Sequence, residues 1–243
     1  MPNLTPSYKI HRIRKRGLTG ITRASSCTLN AILKFDTHES PHCVYVEHVS
    51  IKLAQTLHIP VADGVLTTTG DGPTYASLEL ASPGIPLPDI LKSQIQHVAE
   101  KYPYEIAALT AFDIFIGNWD RAQNIKASLV TPHMPIFMGF DHSHALLNIK
   151  EDPLESIGIL KSDDMIVTQH PFFGFLSQAL LSAWGDRISQ ADDEYITECC
   201  CFNRPFRAVT LELQKHLAEA LVVRKKKLWN IIEENLSRIA PKL

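Results

Sequence analysis

The chain has 243 residues, 45% hydrophobic and 21% charged, with a formal net charge of -2. That length and apolar content support a sizeable core, built as one large domain or as two lobes around a cleft. The near-neutral charge gives no broad electrostatic reason for nucleic-acid or membrane binding, and no stretch is long and apolar enough to span a bilayer.

In chain order, Lys9, Arg12, Arg14, Lys15 and Arg16 have no apolar stretch behind them, so the N-terminal residues do not read as a signal peptide. Gly17-Leu18-Thr19-Gly20 marks a turn, residues 27–35 form an apolar strand ending at Lys34 and Phe35, and Pro41 marks a loop. Residues 44–57 place Val46, Val49, Leu53 and Leu57 at helical spacing, and Pro60 closes that helix. Residues 61–69 and 73–80 read as strands around Gly70-Asp71-Gly72, giving a sheet with one inserted helix. Residues 81–88, with three prolines and a glycine, read as a linker between a front part, 1–80, and a back part, 89–243. In the back part, residues 90–101, 103–116, 173–184, 192–200 and 207–237 favour helices, while 124–129 and 135–140 suggest a small hairpin. The run Arg224-Lys225-Lys226-Lys227 reads as a solvated helix face.

Cys27, Cys43 and the trio Cys199, Cys200 and Cys201 form neither a paired framework nor a Cys-x-x-Cys metal arrangement. They fit a reducing compartment, the cytoplasm, and the trio reads as a packing segment, because consecutive helical residues point in different directions.

The residues with chemistry gather in two runs, Phe112-Asp113-Ile114-Phe115-Ile116-Gly117-Asn118-Trp119-Asp120-Arg121-Ala122-Gln123-Asn124 and Phe137-Met138-Gly139-Phe140-Asp141-His142-Ser143-His144. The first leaves an apolar helix at Gly117 and presents polar groups at an edge. The second carries an apolar strand straight into Asp141, an acid that needs a cation nearby. Asp120 beside an attacking hydroxyl, with Asn124 and Asp141 holding magnesium, is the set that phosphoryl transfer from a nucleotide requires. The plainer reading is a helix-ending turn with Arg121 paired to Asp120, and Asp113 either anchors the loop or is an unrelated buried polar residue.

Upstream, Lys34 ends an apolar strand, where an ammonium needs a partner or a ligand, and Glu47 on the following helix is the candidate partner. The alternative is an edge-strand charge and a solvated helix residue. The segment from Gly17 to Ser25-Ser26 is a candidate phosphate cover, although it matches no Gly-x-Gly-x-x-Gly or Walker pattern. His142 and His144, with His133 nearby, raise a zinc site, but no cysteine accompanies them and oxygen ligands suit magnesium better. His170 and His216 read as packing or surface residues. No Gly-x-Ser-x-Gly elbow supports serine-nucleophile catalysis.

These two runs resemble the catalytic and metal-binding motifs of HipA-like kinases, and Ala31-Ile32-Leu33-Lys34-Phe35 with the helix and exit that follow resembles the nucleotide-lysine strand region of the same family. The resemblance spans about residues 20–150. It implies an α+β, bilobal protein-kinase-like fold, with a small β-rich N-lobe bearing one helix and a larger helical C-lobe. It implies ATP and Mg2+ as cofactors, Asp120 as catalytic base or hydroxyl-orienting group, Asn124 and Asp141 as metal ligands, and Lys34 on the phosphates with Glu47 as support. The backbone at Glu79, Leu80 and Ala81 would be the adenine hinge. It further implies transfer of the γ-phosphate to serine or threonine of a protein, autophosphorylation included. A toxin role beside a DNA-binding antitoxin-like partner follows from one branch of the family, without direct nucleic-acid or membrane contact. Asn124 lies four positions after Asp120, where such kinases usually have five. The chain is also shorter than the long HipA toxins and is expected to lack their extra N-terminal region. A nucleotide-binding pseudokinase and a lipid or small-molecule kinase stay open as alternatives.

Overall fold

The strands of the front part are short because polar residues and turns interrupt them every few positions. The computed structural model describes residues 7–14, 25–82, 85–129 and 135–241. Within them the front part holds β1 (Ser7–Tyr8), β2 (Ile10–Arg14), β3 (Ser26–Leu29), β4 (Ala31–Lys34), α1 (Cys43–Leu57), β5 (Gly64–Thr69), β6 (Gly72–Leu78), β7 (Leu80–Ser82) and β8 (Ile85–Pro86). The strand expected over residues 27–35 breaks at Asn30. Its N–H donates to the Lys9 carbonyl at 2.8 Å and its carbonyl accepts from the Glu79 N–H at 3.0 Å, so the chain steps there from one sheet to the next. The described strands of the front part therefore form a β2-β3 ribbon, a β1-β7-β8 sheet and an antiparallel β4-β6-β5 sheet rather than one continuous sheet. Gly17 to Gly20 lie outside the described residues, but β2 and β3 on either side pair antiparallel, with Arg14 opposite Ser26. The stretch expected as a linker is a tight pairing of β7 with β8, Ala81 opposite Pro86.

Helix α1 is buried on nearly every side, from Val44 and Val46 to Leu53 and Ala54. A helix that is apolar all round needs cover all round. The β4-β6-β5 sheet covers one side, and α6 (Asp193–Cys200) another, where the Tyr45 hydroxyl donates to the Cys200 carbonyl at 2.7 Å.

The back part adds α2 (Ile95–Lys101), α3 (Pro103–Ile116), β9 (Ile125–Ala127), β10 (Phe137–Gly139), α4 (Pro153–Lys161), α5 (Gln178–Ser189) and, beyond α6, α7 (Leu211–Ile239). Pro103 opens α3, where a missing N–H does no harm, and Gly117 ends it at φ 70°. A Cβ at Gly117 would sit 2.6 Å from Ile149 Cδ1, so both conformation and space demand glycine there. All residues of α3 from Ile106 onward are buried, packed against α5 and α7.

The run Arg224-Lys225-Lys226-Lys227 is not the solvated face its charge pattern suggests. Arg224 is fully buried and donates to the carbonyls of Ser162 at 3.1 Å, Asp164 at 2.9 Å and Ile114 at 3.2 Å. Lys225 bonds the Ala191 carbonyl and Asp193, and Lys227 reaches the Lys161 carbonyl at 2.8 Å and Asp163 at 3.0 Å. These cations fasten the ends of α4 and α5, where carbonyls lack helical partners, onto α7. Burial pushes the Arg224 guanidinium down to about 10. Among the described residues no helix is long and apolar enough to cross a membrane.

The two parts meet at the hairpin. The Gly139 N–H donates to the Pro60 carbonyl at 2.9 Å, and its carbonyl accepts from the Ala62 N–H at 2.8 Å. Gly139 also has no room for a side chain, since a Cβ would fall 2.7 Å from Leu109 Cδ1.

Candidate active site

The loop after α3 is held from beneath by Asp113, a carboxylate in the buried, largely apolar part of that helix. Both Asp113 and Arg121 side chains are 0% exposed, and the pair is bidentate: Arg121 Nε donates to Oδ2 and Nη2 to Oδ1, each at 2.8 Å. Oδ1 also accepts from Asn118 Nδ2 at 3.0 Å, and Oδ2 lies 3.1 Å from His170 Nε2. Burial raises the Asp113 pKa, but the Arg121 charge and these hydrogen bonds outweigh it and hold the carboxyl well below its ordinary range. Burial also lowers the His170 pKa, more than Asp113 raises it. Arg121 thus pairs with Asp113, not with Asp120, and Asp113 anchors the loop. His170 belongs to this buried knot.

The remaining Arg121 donor, Nη1, reaches the Asn124 carbonyl at 3.1 Å and also the Phe140 carbonyl. One guanidinium therefore ties the loop that carries Asp120 to the strand end that carries Asp141. The β9-β10 register does the same with backbone bonds. Gly139 pairs with Ile125, and the Phe140 N–H donates to the Asn124 carbonyl at 3.0 Å, so Asn124 lies across from Phe140 and next to Asp141. The turn from Arg121 closes with the Asn124 N–H on the Arg121 carbonyl at 3.1 Å, and Asn124 Nδ2 donates to the Asp120 carbonyl at 2.8 Å. That turn brings the amide back under Asp120 within the four-position spacing. Asn124 Oδ1 is left without a hydrogen-bond partner among the described residues.

Asp141 sits in the left-handed region at φ 59°, which swings its carboxylate out of line with β10. There Oδ1 lies 2.8 Å from Lys34 Nζ and accepts from the Ser143 hydroxyl at 2.7 Å and the Ser143 N–H at 3.2 Å. All of these contacts fall on Oδ1. Lys34 Nζ is also 2.7 Å from Glu47 Oε1, and the same oxygen accepts the His142 N–H at 2.7 Å. Burial lowers the Lys34 pKa, but Glu47 and Asp141 outweigh it and hold the ammonium charged above its ordinary value. Burial raises the Glu47 and Asp141 pKa values, yet the His142 bond and Lys34 bring Glu47 below its ordinary value, and Lys34 with Ser143 brings Asp141 well below. Three charged side chains from β4, α1 and the loop after β10 thus converge.

Asp120 is more open, 47% exposed, with Oδ2 3.9 Å from His144 Nε2. Its neighbour Trp119 lies with its ring 4.9 Å from the His144 ring. His142 turns the other way, buried edge-on against Phe112, so the two histidines do not share a metal. His133 lies outside the described residues. The hinge candidates lie in and just before β7, the middle strand of its sheet: Leu80 faces Tyr8 and Ala81 faces Ser7 across β1-β7, and the Glu79 N–H and carbonyl are engaged by Asn30 and Lys9. The Glu79 carboxylate bonds Asn30 Nδ2 at 3.1 Å and Lys9 Nζ at 3.4 Å, so its peptide and side-chain groups close the fold there.

Among the described residues no three His, Cys, Asp or Glu side chains gather as a protein-only metal cage. The oxygens left without a protein partner among the described residues, Asp141 Oδ2 and Asn124 Oδ1, are donors of the kind a hard cation takes. Arg121, Asn118 and His170 are the residues that sequence reasoning missed as site supports. For Arg121 the available signal was an acid within the apolar second half of α3, which demands a cation close in sequence.

No protein-family model matches the chain, and no curated protein matches its sequence. Solved structures do match its fold. HipA of Shewanella oneidensis MR-1, solved with HipB and its operator DNA, aligns over 87% of this chain with a TM-score of 0.55 and 14% identity. The chain spans 61% of that HipA chain, under two thirds of its length. The Helicobacter pylori proinflammatory kinase CtkA aligns over 93% of this chain and 96% of its own, with a TM-score of 0.61 and 15% identity. The likeness thus extends into the C-terminal helices, where the sequence resemblance fades. The small sheet-rich N-terminal region and the mostly helical C-terminal part form a HipA-like, protein-kinase-like fold.

Proposed function

We propose that this chain transfers the γ-phosphoryl group of ATP to an acceptor hydroxyl, with serine or threonine of a protein as the acceptor class. The observation that carries the reading is the Lys34 ammonium held between Glu47 and Asp141, at 2.7 and 2.8 Å, where the two parts of the chain meet. A cation so held is preorganised for phosphate oxygens, because Glu47 keeps it in place when a ligand takes over the Asp141 contact. Magnesium, when bound, neutralises phosphate charge, and Asp141 and Asn124 are the residues that would hold it. Asp120, exposed at the end of its loop, orients the acceptor hydroxyl and receives its proton. Ile32 is 60% exposed and shares the Lys34 face of β4 by strand alternation, offering apolar surface to a purine ring.

The likeness to HipA and CtkA supports the phosphotransferase class, and the HipA structure with HipB and operator DNA supports a DNA-binding antitoxin-like protein as candidate partner. The test is incubation with labelled ATP and magnesium, with label located by mass spectrometry. Label on serine or threonine that disappears in Asp120→Ala supports the reading. Full transfer by that variant overturns it, and magnesium-dependent ATP binding without transfer by the native chain replaces it with a nucleotide-binding module.

A further inference from the structure

A concavity of about 590 Å³ is lined by Trp119 and His144 together with the segment before α1 and the segment before α4. Its volume lies within the ~300–1,000 Å³ typical of ligand sites. Its apolar surface comes from the Trp119 and His144 rings, tilted 46° to each other with centroids 4.9 Å apart, and from Pro41 and Ile149. Trp119 is 48% exposed, so its indole is accessible to a ligand in the groove. Glu39, Lys150 and Glu151 also line it, all exposed, so both signs of charge are present. An apolar centre with a mixed, solvated rim is the make-up of a polypeptide interface rather than of an anion site.

We propose that this groove receives the acceptor, an extended polypeptide with an apolar or aromatic side chain one or two residues from the phosphorylated serine or threonine. The inference rests on the phosphotransferase reading above. Its geometric basis is reach. His144 lines the groove while Asp120 lies just outside it, and His144 Nε2 is 3.9 Å from Asp120 Oδ2. An acceptor hydroxyl at Asp120 therefore leaves its neighbours, ~3.8 Å apart from Cα to Cα, over the indole and imidazole. In the step itself the hydroxyl oxygen bonds to the γ-phosphorus as the bridging P–O bond breaks. The hydroxyl proton passes to Asp120, and ADP leaves. A small-molecule acceptor would be enclosed over most of its surface, whereas the exposed walls of this groove leave a peptide backbone solvated. Trp119 and His144 thereby set acceptor preference.

The test uses two synthetic peptides that differ only in phenylalanine or glycine beside the acceptor serine, with ATP and magnesium. The native chain should favour the phenylalanine peptide in kcat/KM by about tenfold, the order that an apolar contact in a pocket confers. Trp119→Ala should bring the two within about twofold of each other. A ratio of two substrates on one protein cancels any general damage next to Asp120. In parallel, the phenylalanine peptide should change the tryptophan fluorescence of the native chain but not of Trp119→Phe, which keeps Trp184 and Trp229. Equal use of both peptides by the native chain, or an unchanged preference in Trp119→Ala, overturns the proposal. Transfer to small alcohols or lipid headgroups with no peptide signal overturns the groove assignment alone. No transfer to any acceptor, with the Trp119 signal intact, overturns the phosphotransferase reading and the acceptor role with it, and leaves a peptide-binding groove.

Discussion

Asp113 against Arg121 and Asp141 against Lys34 are the same pairing of acid and base, and solvent separates what they do. In the first, both side chains are 0% exposed and each carboxylate oxygen has two partners, drawn from Arg121, Asn118 and His170. In the second, Asp141 is 32% exposed and Lys34 13%, and the bonds fall on one oxygen only. A saturated buried pair fixes loops, and a half-open pair has capacity left for a ligand. The closed knot sits directly under the loops that the open cluster needs.

The largest effect expected from breaking this contrast is on the closed side. Asp113→Asn leaves the Arg121 guanidinium buried without its counter-charge, and a loss of about 3–5 kcal/mol in unfolding free energy should follow in urea denaturation. Acid should attack the same knot in two stages. Asp113 has a depressed pKa, so its contribution is complete above the ordinary carboxylate range and is lost as pH falls through its lowered folded value. His170 lies below its ordinary 6.5, so the unfolded chain takes that proton first and stability starts to fall as pH drops below 6.5. The thermal midpoint should therefore drop between about pH 7.5 and about pH 5, and His170→Gln should flatten that portion while leaving the steeper loss at lower pH.

Arg207 provides the intermediate case. From the segment before α7 it donates to the carbonyls of Asp71 at 3.2 Å and Pro73 at 2.8 Å, and it lies 3.3 Å from Asp36, whose carboxylate caps Val44 at the start of α1. Its side chain is 27% exposed, so Arg207→Ala should cost only about 1 kcal/mol in the same denaturation measurement.

Legibility follows the same divide between local and distant partners. The α1 and α3 spans and the hairpin were readable because apolar spacing, Pro103 and Gly117 are local signals. Helix α4 was missed although Asp152 and Pro153 are an N-cap and first-turn pair, because its exposed sequence has no strong apolar stripe. The helix expected over residues 173–184 starts later, at Gln178, since Gly174 at φ 91° and the Ser177 cap hold the preceding aromatic residues in turns. Strands β1 and β2 carry polar and basic residues with little apolar alternation, and their pairing with β7 and β3 is what makes them strands. At the site, Lys34, Glu47 and Asp141 were legible because each is a charge at the end or within an apolar run. His170 was not, being 57 residues from Asp113. The Arg224 run was misread because charge patterning reports composition, whereas buried carbonyls at distant helix ends decide where a cation goes.

The contrast between the two pairs is tested most directly by Asp141→Asn, measured on one preparation for both unfolding free energy and transfer of labelled γ-phosphate. Stability should remain within about 1 kcal/mol of the native chain, because the pair is half open and Glu47 still holds Lys34. Transfer should fall by about a hundredfold or more, the scale of removing one preorganised charge from a transition state. A variant that transfers phosphate at the native rate, or that unfolds as readily as Asp113→Asn, would contradict the assignment of chemistry to the open cluster and of support to the closed one.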